Sequence, residues 1–175
     1  LYIYPLLKQK YKNIKLNIYS SLDMYDIEDN EELVKLYEEL KNIEGVSYNK
    51  TISQKDLIKE LNKTLLFIYP TNMTETFCNA MIEAMSCGCY VISNNIGALK
   101  EVADPYGYFI DINITDSEVP PYENFMSNEY LKEMIIATSN IIDSYLFKCS
   151  NLETHLANQI KFIKNKYRWD KNVLL

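Results

Sequence analysis

Apolar positions along this chain recur with two different periods, and the two take turns. Residues 2–11 carry them at helical spacing, with Pro5 placed where only a first turn tolerates it. Asn13 interrupts that pattern, and residues 14–19 alternate with the period of a strand. A polar loop over 20–29 leads to an amphipathic helix over 31–43. Leu33, Leu36, Tyr37 and Leu40 share one of its faces, and Gly45 follows its end. Residues 46–49 read as a short strand. Ser53 caps a helix over 54–62 that has Asp56 in its first turn.

Residues 65–69 are apolar without a break, the pattern of a parallel strand covered on both faces, and Pro70 ends the run. A helix over 77–87 stops at Gly88, and a strand follows at 90–93. A short helix over 97–102 and a strand over 106–112 around Gly107 come next. The polar stretch 113–124, with Pro120 and Pro121, is a loop, and helices over 128–147 and 152–167 close the pattern. Strand and helix alternate without hairpin turns. That order predicts an α/β domain, a doubly wound, Rossmann-like parallel sheet built from βαβ units. Ligands of such sheets lie beyond the carboxyl ends of the strands, so the loops to watch are 20–29, 49–52, 70–76 and 94–98.

Composition narrows the function. At 47% apolar and 13% aromatic residues the chain can fill a core, which excludes disorder. A net charge of -6, with Arg168 as the one arginine, excludes general nucleic-acid binding. A single phosphorylated small molecule stays compatible, because backbone amides hold phosphate without net positive charge. No apolar run approaches the roughly 18 residues of a membrane span, and no signal peptide is recognisable. The expected location is therefore cytoplasmic. Cys78, Cys87, Cys89 and Cys149 lack the spacing of a metal or redox site and read as free thiols of a reducing cytosol. Asp23, Asp26 and Asp29 lack the glycine and final glutamate of a calcium loop, and no metal is expected. His155 has no catalytic arrangement around it and reads as a packing or surface residue.

Chemistry concentrates in residues 69–85. A buried strand ends at Tyr69, a short polar loop follows, and a helix starts near Thr76. Its leading amides, those of Phe77, Cys78 and Asn79, would point beyond the strand ends, where the helix dipole favours an anion such as a diphosphate. Glu75 stands at the mouth of that site. Glu83 lies about two turns along, on a stripe with Thr76, Asn79 and Ser86, while Phe77, Ala80, Met81, Ala84 and Met85 would pack on the sheet. Carboxylates suit sugars, since each accepts hydrogen bonds from neighbouring hydroxyls. Read from spacing alone, the same stripe also fits a solvated helix face.

The segment resembles the E-x7-E signature of retaining GT-B glycosyltransferases, the group 1 type that transfers sugars from nucleotide diphosphates. Pro70-Thr71, Glu75-Thr76-Phe77, Glu83-Ala84-Met85-Ser86-Cys87-Gly88 and Val91-Ile92-Ser93 follow the family's pattern in order. Gly97-Ala98-Leu99-Lys100-Glu101-Val102, Asp104 and Gly107 continue it, and Tyr167-Arg168-Trp169-Asp170 is similar to its close. The resemblance covers nearly the whole chain and implies the C-terminal, nucleotide-sugar-binding half of a GT-B architecture. It implies that Glu75 contacts hydroxyls of the donor sugar and serves catalysis, and that Glu83 contacts the ribose. It also implies that Thr76 and the amides of Phe77, Cys78 and Asn79 hold the diphosphate, with Gly97 and Ala98 near the donor sugar or phosphate. Tyr48, Asn49 and Lys50 would lie near the base. The donor would be a UDP, GDP or ADP sugar, with no bound cofactor and no metal; the acceptor is unknown.

Three departures stand out. Cys78 replaces the family's glycine, Ala98 replaces a second one, and no G-R-x-x-x-K-G loop precedes residues 1–11. Lys50 and Lys100 are the substitutes at hand for that loop's basic pair. Because the chain opens on Leu1, a fragment lacking the N-terminal GT-B acceptor domain is expected, inactive by itself. The rival readings are a catalytically silent nucleotide-sugar-binding or scaffold module of the same fold, and an unrelated doubly wound domain.

Overall fold

The structure, a computed structural model, describes residues 2–20, 31–112 and 127–167, with 31–33 as backbone only. Asp23, Asp26 and Asp29 of the first polar loop, the loop expected over 113–124, and Arg168 to Asp170 of the closing motif lie outside these residues. In order, the elements are α1 (Tyr4–Lys10), β1 (Leu16–Tyr19), α2 (Glu31–Lys41), β2 (Val46–Asn49), α3 (Gln54–Leu61), β3 (Leu66–Tyr69), α4 (Asn79–Ser86), β4 (Tyr90–Asn94), α5 (Leu99–Ala103), β5 (Tyr108–Ile110), α6 (Asn128–Leu146) and α7 (Ser150–Lys166). Every strand pairing is parallel, in a two-stranded sheet β1-β2 and a three-stranded sheet β3-β4-β5. This is the Rossmann-like α/β class the alternation predicts. No helix among the described residues is long and apolar enough to cross a membrane.

The chain divides into two compact units, Leu1–Leu57 and Ile58–Leu175. In the first, Tyr4, Leu7, Tyr11 and Leu40 are buried, and the Tyr4 hydroxyl donates to the Ile14 carbonyl at 3.1 Å. In the second, β4 is the middle strand and Val91, Ile92, Ser93 and Asn94 are all buried. Residues of β3, with one paired neighbour in its sheet, are only half-buried despite their apolar run. Met81, Ala84 and Met85 form the buried face of α4. Ile163 of α7 joins the same core.

The end of α4 is closed twice. Gly88, at φ +90, takes the left-handed conformation of a helix C-cap. Its amide donates to the Met85 carbonyl (3.2 Å), and the Cys89 amide donates to the Ala84 carbonyl (3.0 Å). Fully buried Gln159 of α7 then donates from Nε2 to the carbonyls of Met85 (3.1 Å) and Cys89 (2.9 Å).

Element boundaries differ from the pattern where backbone geometry intervenes. Cys149 is extended (φ -66, ψ 113) and caps α7, which begins at Ser150 and not at 152. β5 is shorter than the predicted 106–112. The Tyr106 amide still bonds the Ala103 carbonyl (2.9 Å), and Gly107 at φ +81 turns the chain before the strand begins.

His155 lies against the rings of Tyr90 (5.3 Å between centroids) and Tyr106 (5.1 Å). Its Nε2 is buried and finds no hydrogen-bond partner among the described residues, and burial lowers its pKa from the ordinary 6.5. Acid should therefore destabilise the fold. Below pH 6.5 the unfolded chain takes up this proton more readily than the folded one. Stability from this group is complete above that pH and declines as pH falls through it. Thermal melts between about pH 8 and 5 should show Tm dropping on the acid side, and His155→Phe should flatten the drop. Equal slopes for parent and variant would assign the loss to other groups.

Candidate functional site

β3 and β4 run in register, Tyr69 opposite Ser93, so their carboxyl ends open on one edge of the sheet. Each delivers a loop there. After β3, the Thr71 amide turns back to the Tyr69 carbonyl (3.0 Å), and Thr71 Oγ1 accepts from the Met73 amide (3.1 Å). Such local bonds compete with helix formation. Cys78 remains extended (φ -109, ψ 96), and α4 begins at Asn79.

That start lies later than the predicted one, with two consequences. The leading helical amides are those of Asn79, Ala80 and Met81, while Phe77 belongs to the loop. The amides of Ala80 and Met81 approach the Cys78 sulfur, whose thiol burial pushes up in pKa. Second, Phe77 does not pack on the sheet as the periodicity suggests. It is 41% exposed and meets Tyr167 edge-on at 5.5 Å; Ala80 is exposed as well.

Glu75 is held from both ends. Its carbonyl accepts the Ala98 amide at 2.8 Å, which ties the loop after β3 to the loop after β4. Gly97, at φ +55, passes so close that a Cβ there would overlap the Glu75 carbonyl oxygen and lie 2.8 Å from its amide nitrogen. The Glu75 carboxylate accepts the Tyr69 hydroxyl, 2.7 Å to Oε1. Burial, then the bond to Glu75, raises the Tyr69 pKa far above its ordinary value, so the phenol stays protonated.

Beneath this pair lies a buried polar tie. Asn94, the last residue of β4, donates from Nδ2 to the Thr71 carbonyl (2.7 Å) and accepts at Oδ1 from the Tyr130 hydroxyl of α6 (2.8 Å). Burial pushes the Tyr130 pKa up to about 12, against the opposing effect of Asn94. Ser93 Oγ donates to the Tyr69 carbonyl at 2.7 Å. Sequence reasoning missed Tyr69, Ser93, Asn94 and Tyr130. The available signal was Ser93-Asn94, two polar residues ending an otherwise apolar strand; nothing marked Tyr130.

Glu83 is half-buried on α4, with Thr76 and Asn79 exposed. Ser86 spends its hydroxyl on the Ile82 carbonyl (2.7 Å). An open groove of about 460 Å³ between α4 and α7 is lined by Ile82, Ser86, Ile163, Lys164, Asn165 and Tyr167. Neither Glu75 nor Glu83 lines it, so it is a separate feature from the Glu75 cradle. In the other unit, the Tyr48 ring packs on Tyr37 at 4.6 Å, Asn49 Nδ2 donates to the Ser47 carbonyl (3.2 Å), and Lys50 is exposed. Among the described residues no three His, Cys, Asp or Glu side chains are grouped to hold a metal ion.

Comparison with known proteins adds three findings. Residues 1–139 match the family described as glycosyl transferases group 1. Over 51 residues the chain is 39% identical to one of the subunits of phosphatidylinositol N-acetylglucosaminyltransferase from Homo sapiens. That stretch covers 29% of this chain and 10% of the human protein. The crystal structure of a GtfA/B complex shares the fold, with a TM-score of 0.61 and 13% identity over 91% of this chain and 28% of that one. The chain thus spans only a small part of either relative. The family match extends over well more than half of its residues, and the chain belongs to the glycosyl transferases group 1 family.

Proposed function

We propose that this chain is the donor-binding half of a GT-B glycosyltransferase that takes a sugar from a nucleoside diphosphate with retention. In this reading Glu75 faces the donor sugar and Glu83 the ribose, as the two ends of an E-x7-E motif. Thr76 and the amides of Phe77, Cys78 and Asn79 hold the diphosphate, and Gly97 and Ala98 lie near the donor sugar or phosphate. An N-terminal acceptor domain supplies the opposite wall of the cleft, and no metal is required. The observation that carries the reading is the bond from the Ala98 amide to the Glu75 carbonyl. It brings two loops of the family's pattern together at the carboxyl edge of a parallel sheet, where ligands of such folds bind. The 39% identity over 51 residues to a human N-acetylglucosaminyltransferase subunit supports sugar transfer.

Two isosteric substitutions test the assignment. Glu83→Gln should weaken nucleoside diphosphates and nucleotide sugars alike, by roughly 1.5–3 kcal/mol, the range for hydrogen bonds to a charged group. Glu75→Gln should leave bare diphosphates nearly unaffected, since its partner is the sugar. Calorimetric titration with UDP, GDP and ADP, with a thermal melt of each variant, reads both. Parent-like nucleotide binding by Glu83→Gln would reduce that carboxylate to an ordinary helix residue and remove the ribose contact.

A further inference from the structure

We propose that Tyr69 is a positioning residue for the sugar-facing carboxylate. Its hydroxyl, fixed at the carboxyl end of β3, holds one oxygen of Glu75 and leaves the other for the donor. The proposal rests on the reading of Glu75 given above.

A glutamate side chain turns about three bonds, and a binding partner must order whatever freedom remains. Here much of that freedom is already gone. The Tyr69 hydroxyl reaches Oε1 at 2.7 Å, and its own placement is determined from two directions. Its ring stacks on Phe67, 5.8 Å between centroids and 14° between planes. Its carbonyl accepts from Ser93 Oγ (2.7 Å) and from the Thr71 amide (3.0 Å). The Glu75 backbone is held separately, through the Ala98 amide. Tyr69 therefore acts on the Glu75 carboxylate and not on its backbone, with the Cys78 thiol as a second neighbour of the phenol. With Oε1 engaged, Oε2 still has both lone pairs to accept neighbouring sugar hydroxyls.

This division of labour makes Tyr69→Phe a clean probe. It deletes one oxygen and keeps the ring stack and the backbone bonds. The full chain is titrated with UDP, GDP and ADP and with their glucose esters, and the best-bound pair is carried through the variants. Tyr69→Phe should weaken the nucleotide sugar about tenfold while the bare diphosphate changes by less than about twofold. Glu75→Ala should also weaken the nucleotide sugar, and adding Tyr69→Phe to it should change sugar binding by less than about twofold, because the carboxylate through which the phenol acts is gone. Equal losses for both ligands would mean that Tyr69 only supports packing, and would overturn the proposal. So would unchanged or tighter sugar binding by Tyr69→Phe alongside a clear loss in Glu75→Ala; the Glu75 reading would then stand without it. Nucleotide-sugar binding by Glu75→Ala equal to the parent's, or a parent that binds none of the ligands, would overturn both.

Discussion

Gly97→Ala is expected to be among the most damaging single-methyl changes in this chain. Two costs coincide. A non-glycine residue at φ +55 bears the strain of the left-handed region, and the new Cβ runs into the Glu75 backbone. Left-handed strain together with overpacking against backbone is expected to cost about 2–4 kcal/mol. For a domain of this size that lowers Tm by roughly 10 °C. Gly88→Ala separates the two costs, because its φ of +90 is also left-handed while only the flexible Ile160 side chain lies near the added methyl. Thermal melts should place Gly97→Ala well below Gly88→Ala. Equal losses would show that conformation alone decides and that the close passage beside Glu75 adds nothing.

Asn94→Ala should be comparably severe for a different reason. The side chain is fully buried, and its removal takes one hydrogen bond from the part-buried Thr71 carbonyl and another from the buried Tyr130 hydroxyl. Two lost hydrogen bonds, one of them buried, plus a small cavity should cost about 2–4 kcal/mol. Tyr130→Phe should cost less, since it strands only Asn94 Oδ1. The double variant should fall short of the sum, as expected for residues in one network. Denaturant melts of the three variants measure this. Strict additivity would show that the two side chains do not act as a unit.

The sequence made the alternating architecture legible because parallel βαβ units leave coarse marks: apolar runs at β3 and β4, glycines where helices stop, Ser53 before α3. The Ser53 hydroxyl does accept the Asp56 amide, at 3.2 Å. The pairing of the loops after β3 and β4 was legible only through resemblance. Within those loops periodicity failed, since Thr71 and Cys78 answer to local hydrogen bonds and extended backbone, so α4 starts late and Phe77 faces outward. The partners of Glu75 and Asn94 were beyond reach for another reason. Tyr130 lies 36 positions from Asn94, and no local pattern encodes a contact that only tertiary packing creates.

The tie from Gln159 gives the domain a particular history. The two carbonyls it binds lie 74 and 70 positions earlier in the chain. During synthesis α4 can wind and take its glycine cap as soon as Cys89 has emerged, yet the bonds from Gln159 to the Met85 and Cys89 carbonyls wait until α7 is made. Contacts over such spans bear a loop-closure cost and form late. The helix bearing Glu83 is thus anchored by an element made some seventy residues after it, and a newborn domain gains its fully tied α4 only once α7 has been made.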